Sequence, residues 1–117
     1  MKNIIKIKEG SHFKGVYSGS SDMDLYGHFD GVLQINTLYV KSTGIFTGRL
    51  SAQTIIVEGE VSADIETENL NLKATGVIDG DVIYRNLLIE TGGVLNSSNV
   101  YNISKPDLIY KKLKTTS

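Results

Sequence analysis

Histidines and carboxylates are the residues of this chain best able to do chemistry, and their spacing decides whether they can. His12 and His28 lie in two similar stretches, "SHFKGVY" and "GHFDGVL". Two imidazoles held side by side could begin a metal site, because neutral imidazole is a common zinc ligand. Zinc needs more, however, and in the column defined below Ile45 stands between His28 and Glu60. The pair therefore reads as two solvated rings that repel once both are protonated. Asp79 and Asp81 stand at i, i+2 and would share one side of a strand, with Asp64 one repeat before Asp81. Paired-carboxylate catalysis needs a pocket that separates two pKa values. These columns are expected to face outward from a convex surface, as solvated charge. "STGIFTG" and "ATGVIDG" carry turn glycines but neither phosphate-loop pattern, G-x-x-x-x-G-K-[ST] or G-x-G-x-x-G. Serine never falls in the G-x-S-x-G context of a nucleophile elbow. Cysteine is absent, which removes disulfides, thiol chemistry and Cys-ligated zinc. The reading assigns no catalytic residue, no metal and no cofactor.

What must position these side chains is a repeat. Taking the bulky residue of each copy as an anchor gives Phe13, Phe29, Phe46, Val61, Ile78 and Leu95, at steps of 16, 17, 15, 17 and 17 residues. Two places after each anchor comes a small residue: Gly15, Gly31, Gly48, Ala63, Gly80 and Ser97. Four places after come Tyr17, Leu33, Leu50, Ile65 and Val82, and then Asn99, where the apolar column is expected to fail. A second motif follows at +9 and +11: Leu38 and Val40, Ile55 and Val57, Leu70 and Leu72, Leu87 and Ile89. Met23 and Leu25 fit it with one extra residue, and Ile5 and Ile7 precede the first anchor in the same way. Apolar residues two apart lie on one side of a strand. Anchor, small residue and +4 residue are thus expected on one face and the +9/+11 pair on another. Ile35, Ala52, Thr67 and Tyr84 at +6 suit a third face. The small column would let bulky neighbours meet across a narrow interior.

Three short strands and three corners in about 16 residues make one coil of a triangular β-solenoid. The expectation is an all-β fold of about six coils over residues 4–103, with a short tail at 1–3 and a short basic tail at 104–117. Stacked coils lie about 4.8 Å apart. A β-sandwich is the rival, but it would not repeat side-chain identity at one period.

Bulk composition agrees. The chain has 117 residues, a formal charge of −1, one proline and 12 glycines. That is one domain, without the basic field that nucleic acid would require. No run approaches the ~18 apolar residues of a membrane span. "MKNIIKIKEG" is too short and too interrupted for a secretory signal. A soluble, cytoplasmic protein is expected.

Residues 44–95, and above all "GVIDGDVIYRNLLIETGGVL" at 76–95, resemble the bactofilin domain. The resemblance runs strongly from about 27 to 97. It implies a right-handed triangular single-stranded β-helix that polymerises end to end into non-polar filaments without nucleotide. It further implies a bacterial cytoskeletal scaffold that places cell-envelope or peptidoglycan-modifying proteins. Its place would be the cytoplasm, with the inner face of the cytoplasmic membrane as a candidate site. Many members have a disordered N-terminal tail, some with a membrane-binding peptide; here strand pattern begins at Ile5, so that route of attachment is not expected. The tail "SKPDLIYKKLKTTS" is locally basic.

A solenoid covers its sides but leaves its ends open unless something caps them. Ile4, Ile5, Ile7 and Phe13 mark one open end, and Leu95, Val100, Tyr101 and Ile103 the other. These are the candidate polymer contacts. Outward apolar residues Tyr39, Ile56, Leu88, Val77 and Val94 are candidates for lateral or partner docking. The expected interior ladders are Phe29, Phe46, Val61 and Ile78; Leu33, Leu50, Ile65 and Val82; and Val40, Val57, Leu72 and Ile89. Two other functions fit a solenoid: a hexapeptide-type β-helix acyltransferase, and a monomeric binding module. Steps of 15 to 17 break the hexapeptide rule, and no long loop supplies a catalytic histidine.

Overall fold

Val, Ile, Leu, Thr and Tyr dominate between the glycines, and β-branched and aromatic side chains pack well on a pleated surface. The computed structural model describes residues 4–96 and 100–102, and all ten elements in them are strands. They are β1 (Ile4–Ile7), β2 (His12–Ser18), β3 (Asp22–Leu25), β4 (His28–Val40), β5 (Ile45–Val57), β6 (Glu60–Leu72), β7 (Val77–Asp79), β8 (Val82–Ile89), β9 (Val94–Asn96) and β10 (Val100–Asn102). Every pairing is parallel and joins a residue to its counterpart one repeat away. The anchors form a single ladder, Phe13–Phe29–Phe46–Val61–Ile78–Leu95. The chain is a β-solenoid.

Each ladder has six rungs, and six rungs enclose five repeats. From Ile5 through Met23, Leu38, Ile55 and Leu70 to Leu87 the chain completes five turns, so the coil number is about five rather than six. The apolar column also does not fail at Asn99. Val82 pairs with Val100, one residue further on, which extends the Tyr17–Leu33–Leu50–Ile65–Val82 column by another rung.

The faces are grouped differently from the sequence expectation. Gly31, Gly48 and Gly80 have φ of 139°, 120° and 133°, and they mark a corner between the anchor and the +4 residue. A Cβ on Gly48 would lie 1.9 Å from the Gly31 carbonyl oxygen, and one on Gly31 would lie 1.9 Å from that of Gly15. Those positions are small because the next coil's backbone is there, not because side chains meet across the interior. Ala63 keeps an ordinary φ and tucks its methyl inside. Residues +4 and +6 then share the second face: Leu33 with Ile35, Leu50 with Ala52, Ile65 with Thr67. That face ends at Asn36, Gln53 and Glu68, which the ladder skips. The buried Thr67 hydroxyl lies 3.2 Å from the carbonyl of Gln53 and 3.1 Å from that of Asn69, so the polar member of the core is satisfied.

The uneven steps have a local cause. Residues 41–44, 73–76 and 90–93 make four-residue turns, each closed by an N–H to C=O bond: Gly44 to Lys41, Gly76 to Lys73, Gly93 to Glu90. Residues 26–27 and 58–59 turn in two residues. A two-residue turn shortens the Phe46–Val61 step to 15. The longer turns lean on the shorter ones: Thr43 Oγ1 donates to the Tyr26 carbonyl, and Thr75 Oγ1 to the Glu58 carbonyl, both at 2.8 Å.

Of the expected interior ladders, Phe29, Leu33, Val40, Phe46, Leu50, Val57, Val61, Ile65, Leu72, Ile78 and Val82 are all buried. Ile89 is a correction. It is 43% exposed because it occupies the last described rung of its face and, among the described residues, has a ladder neighbour on one side, Leu72. Phenylalanine rings stack along the axis, Phe13 on Phe29 at 4.8 Å and Phe29 on Phe46 at 5.3 Å between centroids.

Phe46→Ala should therefore cost about 3–5 kcal/mol in urea or thermal unfolding, the usual range for a fully buried ring. Gly48→Ala should cost at least about 2 kcal/mol, since it combines a disfavoured φ with a backbone clash. Gly10→Ala, at φ 84° with nothing within 4 Å of the new methyl, should cost only about 1 kcal/mol. Equal costs for the two glycines would contradict the close coil-to-coil approach.

Candidate functional site

The same residue types differ sharply in burial between the middle of the rod and its first coil. Phe29 is 0% exposed and Phe13, its ladder neighbour, is 42% exposed. Leu25 is buried completely, whereas Ile5 and Ile7 in the adjoining rungs are only partly covered. Ile4 is exposed. The cause is pairing: β1 pairs with β3 and β2 with β4, and no other described strand pairs with their far edges. Among the described residues, the N-terminal mouth thus has backbone groups without a strand partner around an apolar floor, which is the chemistry of strand addition.

Among the described residues the opposite mouth has the same character. Of the described strands, β9 pairs with β7 alone, and the Leu87–Ile89 part of β8 pairs with β6 alone. Leu95 and Leu87 are partly buried, Ile89 and Leu88 exposed. Val100 and Tyr101 lie on β10, in register with Val82 and Ile83. Ile103 and the tails at 1–3 and 104–117 lie outside the described residues.

Side surfaces carry smaller features. Leu88 and Val94 are exposed, while Ile56 and Val77 are half-buried. Tyr39 is half-buried and already engaged: its hydroxyl donates to Glu58 Oε2 at 2.6 Å, and Lys41 Nζ stands 3.5 Å over its ring. That bond to a carboxylate, helped by desolvation, pushes the Tyr39 phenol up from 10.0 to about 12. Sequence reasoning overlooked Val16 and Val32, paired in register on the outward side of the second face and 74% and 41% exposed. Their column at +3, Val16–Val32–Arg49–Asp64, holds the signal: it opens with two aliphatics where charge follows.

The acidic residues correct two expectations. Asp79 and Asp81 do not share a face, because the Gly80 corner lies between them. Asp79 pairs with Ser62 and Asn96 on the first face, while Asp81 helps to line a groove on the second. That groove, of about 300 Å³, is formed with Arg49, Ser51, Asp64, Glu66 and Ile83, so the carboxylates are not on a wholly convex surface. His12 and His28 do stand together, with ring centroids 4.2 Å apart and planes within 9°. Among the described residues, no three His, Cys, Asp or Glu side chains are grouped as metal ligands. No helix among them is long and apolar enough to cross a membrane.

A family model described as "Bactofilin: Polymer-forming cytoskeletal" matches residues 5–99. Comparison with curated proteins gives no match. Among solved structures, the chain is similar to the Thermus thermophilus bactofilin, reconstructed by electron cryo-microscopy as double helical filaments. The two are 22% identical at a TM-score of 0.73, over 81% of this chain and 98% of that one.

A folded state that holds Tyr39 protonated gains stability that is complete below pH 10 and lost as pH rises through about 12. Spectroscopic titration of the six tyrosines should show one ionising last, near pH 12. Glu58→Gln should remove that late step. Its persistence in the variant would show that the carboxylate does not cause the shift.

Proposed function

The chain belongs to the bactofilin family of polymer-forming cytoskeletal proteins, and on that premise we propose that it assembles end to end through its two open mouths. The contacts assigned to the N-terminal mouth are Ile4, Ile5, Ile7 and Phe13. Those assigned to the C-terminal mouth are Leu95, Val100, Tyr101 and Ile103. The observation that carries this reading is the contrast within one ladder, Phe29 sealed and Phe13 open. A further coil placed on that mouth would extend all three ladders and satisfy the bare strand edges. The solenoid is assigned to residues 4–103, with 104–117 as a basic tail outside it.

Burial of apolar rungs and backbone pairing drive such growth, so it needs no nucleotide. The filament is read as non-polar, as the family resemblance implies. Its work is read as scaffolding in the cytoplasm, at the inner face of the cytoplasmic membrane, where it positions cell-envelope or peptidoglycan-modifying proteins. The exposed aliphatics on the sides, Leu88 and Val94 with Val16 and Val32, are the candidate surfaces for lateral contacts or such partners. No step of this work calls for catalysis by the chain.

High-speed sedimentation and negative-stain microscopy without nucleotide should show filaments of the purified protein. Ile5→Lys places a charge in the first apolar rung, and Val100→Lys places one at the other end. Each should yield folded protein, with an unchanged far-ultraviolet spectrum, that stays short or monomeric. Filaments of full length from both variants would overturn the interface assignment.

A further inference from the structure

At the N-terminal mouth the neighbour of the open phenylalanine is a histidine. The His12 and His28 rings stack at 4.2 Å, beside the Phe13–Phe29 stack at 4.8 Å. Both stacks run from coil to coil, and both stop at β2, whose far edge meets no other described strand. His28 is half-buried, with Nε2 3.3 Å from Thr47 Oγ1. His12 is exposed and has one ring face bare of a stacking partner among the described residues.

We propose that His12 becomes part of the junction when a second copy of this chain seats on the N-terminal mouth, so that the junction weakens on acidification. This rests on the end-to-end reading above. A second copy is the occupant because the bare edge matches what the chain itself repeats: a parallel-sided rung with a ring at the anchor and an outward residue before it. Two seatings agree in sign, and the head-to-head one is that of the non-polar filament. If the second copy presents its C-terminal mouth in register, its Val94, the last described rung of the same column, lies against His12. If it presents its N-terminal mouth, pairing antiparallel about Phe13, Lys14 of the second copy lies opposite His12. An apolar neighbour desolvates an imidazolium and a lysine repels it, so either seating favours the neutral ring.

Charged groups around the pair do not reverse this. Lys8 and Glu9 lie in the turn before β2 and offset one another. Lys14, two residues along β2, has Asp30 of β4 as its ladder partner. On the same column Ile45 of β5 separates His28 from Glu60 of β6. Protonating both stacked rings adds a repulsion inside the first coil that acts in the same direction. Free ends therefore bind more protons than joined ends, and assembly falls off as pH drops through the histidine range of about 8 to 5.

The test is the critical concentration for pelleting, measured at about pH 8 and about pH 5.5, with circular dichroism to show that the coil survives. For the wild type it should rise about tenfold on acidification. His12→Gln, which leaves every other charged group in place, should change by less than about twofold, so general effects near the sequence pI of about 6.1 cancel between the two. An equal critical concentration at both pH values in the wild type, or an equal rise in His12→Gln, overturns the inference and leaves end-to-end assembly standing. Pelleting at neither pH removes both.

Discussion

Everything in this molecule depends on one coil's backbone lying directly against the next. Parallel hydrogen bonds join each residue to its equivalent one repeat away, and the strands have no other described partners. The approach is close enough that glycine is needed where a corner turns the chain towards its neighbour. Gly31, Gly48 and Gly80 each leave no room for a methyl group beside a carbonyl oxygen. A second set, Gly44, Gly59 and Gly76, does the same at the turns before the anchors. Once the backbones are held at this spacing, like side chains must stack on like, and the Phe13–Phe29–Phe46 rings and the Asn69–Asn86 amides do so.

This constraint makes the interior uniform and the ends exceptional. A middle coil has its hydrogen bonds and apolar surface satisfied by the coil before and the coil after. Among the described residues, the first and last coils lack one of those neighbours, and the exposure of Ile4, Phe13 and Ile89 goes with it. On the proposed end-to-end reading, assembly is the interior interaction continued between molecules. The same logic accounts for the charged groups, which lie on corners and outward columns where stacking brings them together: Lys73 meets Glu90 at 3.1 Å and Arg85 meets Glu68 at 2.7 Å, one repeat apart. Both pairs are exposed, so they tune the surface and contribute little to stability.

Most of the fold was legible as a period. Six anchors at steps of 15 to 17 specify parallel stacking, because no other arrangement brings residues one repeat apart into contact. The burial of Phe29, Phe46, Leu33, Leu50 and Val57 follows from alternation alone. The apolar residues running to Ile5 on one side and past Leu95 on the other were legible too. Less was legible wherever alternation is broken. A glycine with positive φ rotates the following residues, so Asp79 and Asp81 part company although they are two apart. A single added residue after Leu95 returns Val100 to the column that Asn99 would have ended.

The sequence by itself determined the repeat, the identity of each ladder and the absence of any thiol chemistry, because these depend only on residue type and separation along the chain. Tertiary structure decided where the corners fall, how many full turns the ladders enclose and which side chains the terminal rungs leave bare. It also decided which residues meet across coils, such as Tyr39 with Glu58 and His28 with Thr47. The physical reason is that these outcomes depend on the direction a side chain takes after each bend. That direction is set by backbone contact with the neighbouring coil, which no separation along the chain expresses.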